Sequence, residues 1–243
     1  MRSIQTRRGA RLVALAAVTG LALAGCSGDA EDAEVEETTQ APTAQDRLDE
    51  AHDVLAGAGS VSLVMAGTDL PEDQPAYVIG AMGSGTIEPP AFEGEITAKL
   101  SGIQADVPTI AVDGELYVQL PFTPAYVNTD PEQLGVPDPA RLFSVDEGLV
   151  SLLAQTEGAE LGEQVRADSD VLQEVTGTLP GDLVVDLLNT GDREADFDVT
   201  YGLVEDSWEV RTVAITGPLY PPAESTYTLT LDDYGVPVEI TAP

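Results

Sequence analysis

Apolar and polar residues alternate along several stretches of the chain, most clearly in the segment FEGEITAKLSG, residues 92–102. Apolar or small side chains fall on one side of this segment and polar side chains on the other. The first set is Phe92, Gly94, Ile96, Ala98 and Leu100, and the second is Glu93, Glu95, Thr97, Lys99 and Ser101. A period of two with one apolar face predicts a strand of an antiparallel sheet that has one buried and one solvated face.

The segment TIAVDGELYVQLP, residues 109–121, predicts a β-hairpin. Asp113 and Gly114 supply its turn, because Asp-Gly tolerates the positive φ angles that a two-residue hairpin loop requires. Three further segments predict strands: PAYVIGAMGSGTI, SWEVRTVAITG and STYTLTLDDYGVPVEITAP. In the last of these, Tyr234 and Gly235 are expected to form a turn between two strands.

Three segments change to the helical period of 3.6 residues, and we expect helices over residues 46–58, 144–156 and 182–190. The second segment opens with Ser144 and has Glu147 three residues later, which is the pattern of a capping box. The side chains expected to face inward from the second and third helices are Leu149, Leu152, Leu153, Leu183 and Leu187. Helices collected on one face of an antiparallel sheet define the α+β class.

Small residues interrupt the apolar face of the strand YVIGAMGSGTI, where alternation places Ile79, Ala81, Gly83 and Ile87 together. Gly94 and Ala98 extend the same feature on the neighbouring strand. Side chains this small leave room above the sheet. Either a helix packs closely into that room or the room is a cavity, and the residues alone favour the packed alternative.

The first 25 residues have the three parts of an export signal: a basic head, a short apolar segment from Leu12 to Ala24, and small residues at its end. The apolar segment is shorter than the ~20 residues that span a bilayer. The exit sequence LAGC resembles the lipobox of bacterial lipoproteins, in which the cysteine thiol receives a diacylglyceryl group. This predicts a signal peptide over 1–25, a lipidated Cys26 with an acidic disordered tether over 26–45, and a folded domain over 46–243. An ordinary signal peptide that happens to end at a cysteine is the alternative.

The mature chain is strongly acidic. Four of the ten basic residues precede Cys26, so six remain against all 43 acidic residues, a net charge of −37. Such a surface disfavours binding to nucleic acid, whose phosphates need Lys and Arg, and disfavours lying flat on an anionic membrane. Because Cys26 is the only cysteine, no internal disulfide can form.

Residues suited to catalysis or metal binding are scarce. His52 is the only histidine, and it falls among charged residues of the first helix. Ser84 is not in a nucleophile elbow, since Met82 stands where that motif needs Gly. The acidic series from Asp192 to Asp198 lacks the Gly and Glu of a calcium loop. We therefore expect no enzyme, no metal and no cofactor, with a carboxylate pair of the glycosidase type as the remaining enzymatic alternative.

Three motifs and their order resemble the actinobacterial LppX/LprAFG lipoproteins. They are the hairpin VDGELYV at 112–118, the segment PDPARLFSVDEGLVSLL at 137–153, and the ending YGVPVEITAP at 234–243. The resemblance implies an antiparallel half-barrel sheet whose concave face is covered by helices and encloses a large apolar cavity. It also implies an exported lipoprotein that is held by Cys26 at the outer face of the cytoplasmic membrane.

The resemblance further implies a carrier of lipids or glycolipids with acyl chains in the cell envelope, with a lipid exporter in the membrane as its partner. The resemblance makes the cavity the favoured interpretation of the small-residue face and the three helices its lids. The expected lining residues, taken from the alternation, are Ile79, Ala81, Gly83, Ile87, Ile96, Ala98 and Leu100. The alternative function is a cavity-free lipoprotein that acts as an assembly or interaction partner in the envelope.

Overall fold

The alternating segments become neighbouring strands of one antiparallel sheet. A computed structural model describes residues 41–100, 102–121, 123–131, 137–167 and 169–243, which form a compact unit with its own core. The predicted signal peptide, Cys26 and most of the tether lie outside the described residues. Within the described part the sheet has eleven strands in the order β6-β5-β4-β3-β2-β1-β11-β10-β9-β8-β7, and it is not closed. The strands are β1 Ser60–Thr68, β2 Ala76–Thr86, β3 Ala91–Leu100, β4 Ile103–Val112, β5 Glu115–Val118, β6 Val127–Thr129, β7 Glu157–Ala167, β8 Asp170–Pro180, β9 Asp196–Val204, β10 Val210–Tyr220 and β11 Ala223–Asp232.

The predicted alternation of β3 is confirmed by its register with β4. Phe92 lies opposite Ala111, Ile96 opposite Val107, and Ala98 opposite Ala105, so their side chains share one face of the sheet. The predicted hairpin joins β4 to β5. Asp113 and Gly114 have φ angles of 55° and 78°, which is the left-handed conformation that this turn needs.

Helix α1 (Ala44–Ala56) begins two residues before the predicted start at 46. Thr43 is the N-cap: its side chain accepts a hydrogen bond from the Asp46 amide at 3.2 Å, and the Asp46 carboxylate accepts one from the Thr43 amide at 2.7 Å. This capping box satisfies two amides that the helix leaves unpaired. Gly57 is the C-cap, as expected for a helix that ends at a glycine.

The second predicted helix starts too early. The Ser144 hydroxyl does accept from the Glu147 amide at 3.3 Å, but the residues form only a turn, because Gly148 is extended (φ −102°, ψ −157°). Helix α2 therefore runs from Leu149 to Gln155. A short 3₁₀ helix, η1 (Pro139–Phe143), precedes it. Helix α3 (Gly181–Leu188) ends at Asn189, whose φ of 52° is left-handed.

All helices pack on the same face of the sheet. One apolar cluster, which includes Leu48, Phe143, Leu152 and Leu187, joins side chains of α1, η1, α2 and α3 to buried side chains of the sheet. The strands that contribute to it are β1, β3, β4, β5, β8, β9, β10 and β11. The sheet thus curves around its helices. This confirms the predicted class: an α+β fold built as an antiparallel half-barrel with helices on the concave face.

The strands also differ from the prediction in several places, and β6, β7, β8 and β9 were not predicted. The residues after β11 form no strand; Tyr234 and Gly235 make a turn, and the Gly235 amide donates to the Ser60 carbonyl at 2.8 Å. β9 was missed although its apolar residues Phe197, Val199, Tyr201 and Leu203 alternate with polar or small ones. β7 is an edge strand exposed along almost its whole length, so few of its side chains needed to be apolar. Among the described residues, no helix combines the length and apolar character needed to cross a membrane.

Candidate functional site

The concave face of β3 and β4 passes from core to open water along a single row of side chains. Phe92 is fully buried and Ala98 is 4 % exposed, whereas Leu100 is 38 % exposed. Ile103 lies directly opposite Leu100 in the sheet and is 71 % exposed. Directly paired residues point to the same face, so this row leads out of the half-barrel at the end where β3 turns into β4.

Two small cavities meet on this row. The first, which we call the tyrosine cavity, has a volume of about 120 Å³ and touches Tyr77, Tyr220, Tyr227 and Asn189. The second, the aliphatic cavity, has a volume of about 70 Å³ and is lined by side chains such as Ile96, Val107, Leu116, Val118 and Leu120. Ala98, Leu100 and Pro137 line both. Each cavity is well below the ~300–1,000 Å³ of typical ligand pockets.

The tyrosines give the first cavity a polar but uncharged wall. The Tyr227 hydroxyl donates to the Val78 carbonyl at 2.5 Å and lies 2.8 Å from the Tyr220 hydroxyl. Burial raises the pKa of both Tyr220 and Tyr227, so both phenols stay neutral at physiological pH. The Tyr77 ring lies 5.8 Å from that of Tyr220 in a tilted arrangement. This wall offers hydroxyl groups to a ligand without charge.

The small-residue face divides into a cavity half and a filled half. Ala98 and Leu100 line both cavities, and Ile96 lines the aliphatic one. Gly83 lies in the filled half: a Cβ there would stand 2.8 Å from the Phe92 ring. Ile87 is buried in the core cluster.

Gly85 shows most clearly how this half is filled. A Cβ at Gly85 would lie 2.4 Å from the Phe143 ring, which comes from η1. The rings of Phe92 and Phe143 stack with centroids 6.0 Å apart. Aromatic side chains, one of them from the sheet itself, thus occupy the room above the glycines. For this half of the face the packed alternative is the right one.

A β-bulge changes which residues of β2 face the cavities. Val78 pairs with Ala98 and Gly80 with Thr97, so Ile79 is the extra residue between them. The bulge places Val78 in the tyrosine cavity, where strict alternation had expected Ile79. Ala81 returns to the inward face opposite Ile96 and packs partly buried against the core.

The leucines predicted as lid residues lie in the core. Leu149, Leu152, Leu153 and Leu187 are all buried in the main cluster. Leu183 is half-buried in a separate surface pocket between α2 and α3. The residues that cover the tyrosine cavity are instead the last residue of α3 and the two after it, Leu188, Asn189 and Thr190. The sequence signal that would have indicated them is the helix end itself, with Asn189 in the left-handed cap.

None of the described side chains that line the two cavities is charged. Within the described ranges, no group of three His, Cys, Asp or Glu side chains is placed to hold a metal ion. The Nδ1 of His52 lies 3.1 Å from the Asp53 carboxylate at the surface of α1, away from both cavities. What the site offers chemically is apolar contact and uncharged hydroxyl groups.

Comparison with known proteins agrees with this architecture. Residues 43–240 match the profile of the LppX/LprAFG lipoproteins. The chain belongs to this family. The lipoarabinomannan carrier protein LprG of Mycolicibacterium hassiacum is 28 % identical over 244 residues, covering 99 % of both chains.

Two solved structures share the fold. LprF from Mycobacterium bovis superposes with a TM-score of 0.69 at 17 % identity, over 82 % of this chain and 96 % of that one. LppX from Mycobacterium tuberculosis superposes with a TM-score of 0.60 at 18 % identity, over 82 % and 98 %. The half-barrel with helices on its concave face is thus common to all three proteins.

Proposed function

We propose that this protein is a lipoprotein that binds and carries lipids or glycolipids in the cell envelope and catalyses no reaction. The observation that carries this proposal is the row of apolar side chains that leaves the core at Ala98 and reaches water at Ile103, with a cavity on each side. An acyl chain laid along this row gains ~0.8 kcal/mol for each CH₂ group removed from water.

The cavities must open and join to hold a whole chain, since each is small. Ala98, Leu100 and Pro137 line both, so the two spaces are already neighbours. The tyrosine cavity is covered by Leu188, Asn189 and Thr190, which form the end of a helix and the start of a loop. Loop residues at a helix end move at lower cost than packed core residues. We therefore expect the end of α3 to move outward when lipid enters.

The chemistry of the two cavities suggests how a ligand would be oriented. Acyl chains would occupy the aliphatic cavity, and the hydroxyl or ester groups of the ligand would face Tyr77, Tyr220 and Asn189. The relative LprG is named as a lipoarabinomannan carrier, and a glycolipid has both of these parts. In the proposed location the domain is held by a lipid on Cys26 at the outer face of the cytoplasmic membrane, where a lipid exporter could supply the ligand.

Blocking the shared wall of the cavities tests the proposal. Ala98→Trp places an indole where the two cavities meet. Ala66→Trp is the matched control, because Ala66 lies on the exposed convex face of the same sheet. Binding of a fluorescent diacyl lipid to residues 41–243 should fall strongly in the first variant and stay unchanged in the second.

Equal binding by both variants would contradict the proposed site. Absence of any lipid binding by the unmodified domain would instead favour the alternative, an interaction lipoprotein without a ligand cavity. That alternative has one observation in its favour: Val64 and Met82 lie opposite each other on the convex face and are both exposed. Exposed apolar pairs of this kind are found at protein interfaces.

A further inference from the structure

The half-barrel has two different ends, and the first helix of the described chain, α1, lies at one of them. At one end lies α1: its Arg47 stacks on Trp208 of the β9–β10 turn at 3.8 Å, and the Ile87 amide after β2 donates to the Gly59 carbonyl at 2.9 Å. We call this the helix end. At the other end β3 turns into β4 and the cavity row reaches water. The ten residues of β3 separate these ends by ~30 Å.

Exposed apolar side chains border the outlet of the cavity row. Leu100 and Leu120 line the aliphatic cavity and are each 38 % exposed, and Ile103 beside them is 71 % exposed. We call these three residues the apolar rim. Large exposed apolar groups that continue a cavity are typical of surfaces that contact lipid or another protein.

The two segments that carry the apolar rim lack the acidic residues that are abundant in the rest of the sequence. These segments, residues 96–105 and 116–129, contain no acidic residue, although the chain has 43; acids such as Asp106 and Asp130 flank them, and the β1–β2 loop brings Glu72 against Lys99. The one charged residue of the two segments is Lys99, the only lysine of the protein. Acidic surfaces are repelled by an anionic bilayer, and the two rim segments themselves add nothing to that repulsion.

We propose that the apolar rim docks on the bilayer that carries the chain's own lipid anchor. In this orientation the rim faces the membrane, and the helix end, to which the tether leads, points away from it. The inference rests on the proposed function and on the anchoring of Cys26. It names the membrane surface from which the cavity would exchange lipid.

The length of chain before α1 allows this orientation. Ala44 starts α1 at the helix end, so docking of the rim requires Ala44 to stand ~30 Å from the bilayer. Seventeen residues lie between Cys26 and Ala44, and fully extended the chain from Cys26 to Ala44 reaches ~60 Å. Deleting residues 28–39 leaves five residues between Cys26 and Ala44 and a reach of ~20 Å. The shortened chain therefore cannot bring the rim to its own membrane.

Fluorescence quenching in vesicles tests the docking directly. The full-length lipidated protein would carry Ile103→Cys labelled with an environment-sensitive dye, since acylation blocks the thiol of Cys26. The vesicles are phosphatidylcholine with a spin-labelled lipid as quencher, placed either in the vesicles that hold the anchor or in separate ones. We expect a blue shift and loss of emission only when the quencher shares the vesicle with the anchor. The short-tether deletion should abolish both effects.

Two controls make the result specific. Replacing residues 28–39 with twelve Gly and Ser residues keeps the length and removes the acids, and quenching should persist. A dye at Asp206→Cys, in the exposed turn at the helix end, should not be quenched. Quenching that survives the deletion, or that comes only from separate vesicles, would overturn the inference. Lipid found in the unanchored domain together with no quenching at Ile103 would leave the carrier proposal standing and reject the docking alone.

Discussion

Replacing Ala98 with the large residue Trp should destabilise the protein less than replacing Gly85 with the small residue Ala. Both residues belong to the small-residue face, but the structure surrounds them differently. Ala98 is bordered by a cavity on each side, of about 120 and 70 Å³. Gly85 is covered by the Phe143 ring, and a Cβ there would lie 2.4 Å from its atoms. An indole at Ala98 can enter empty space, whereas a single methyl group at Gly85 cannot.

The magnitudes follow from what each new group must displace. Overpacking a filled core costs ~1–3 kcal/mol, and Gly85→Ala should fall in this range because the buried Phe143 ring has to move. Ala98→Trp should cost less than ~1 kcal/mol, because the cavities accept most of the ring. For a domain of this size ~1 kcal/mol corresponds to ~2–4 °C in Tm. We expect Gly85→Ala to lower Tm more than Ala98→Trp does.

The assay is thermal unfolding of residues 41–243 followed by circular dichroism after lipid has been removed with organic solvent and the protein refolded. Delipidation matters because a bound ligand would stabilise the unmodified protein and one variant but not the other. A larger loss of Tm for Ala98→Trp than for Gly85→Ala would refute the reasoning, since it would mean that the Ala98 side of the face is packed core.

Three further predictions follow from other contacts. Arg47→Ala should cost ~0.5–1 kcal/mol by removing the cation–π contact with Trp208, and emission from this only tryptophan should shift to the red. The amide of Asp233 and the Arg211 guanidinium hold the pKa of Asp232 below its usual value. The ionised Asp232 therefore stabilises the fold above pH ~4, and this stabilisation is lost as pH falls through the folded pKa. Between pH ~6 and pH ~2, Tm should fall less steeply in Asp232→Asn than in the unmodified protein. Cys26→Ser should move the protein from the membrane fraction to the medium or leave an uncleaved precursor, and a soluble wild-type protein with an unmodified Cys26 would contradict the predicted anchor.

The strands that could be predicted from the sequence are those with one buried and one solvated face. Alternation in β3 predicted which of its side chains face inward, and Asp113 and Gly114 predicted the β4–β5 turn. β7 was not predicted, since Glu163 interrupts its apolar series and the strand lies exposed at the sheet edge. β9 was missed although Phe197, Val199 and Tyr201 alternate in it. The family resemblance, not periodicity, indicated that the sheet is a half-barrel.

The candidate site was predictable only in part, for two physical reasons. Alternation assumes a regular strand. The bulge in β2 turns Val78 towards the cavity in place of the predicted Ile79, and nothing in the local sequence marks that bulge. Small residues show that room exists above a sheet but not what fills it. Phe92 fills it over Gly83 from the neighbouring strand, and Phe143 fills it over Gly85 from a segment more than 50 residues further along the chain.

The lid residues illustrate a similar limit. A helical apolar face identifies side chains that are buried, and Leu152 and Leu187 are indeed buried. It does not distinguish a core contact from a cavity contact. Of the three residues that cover the tyrosine cavity, only Leu188 belongs to the helix; Asn189 and Thr190 follow it and carry no hydrophobic signal.

The central claim is that the concave face holds lipid, and the most direct test is to look for that lipid. The domain comprising residues 41–243 would be produced in a cell that makes its own membrane lipids, purified without detergent, and examined by native mass spectrometry and by solvent extraction. We predict a stoichiometric adduct with the mass of a diacyl lipid or glycolipid, which is absent from Ala98→Trp and retained in Ala66→Trp. A wild-type domain that carries no lipid, and that takes up none from vesicles, would contradict the account.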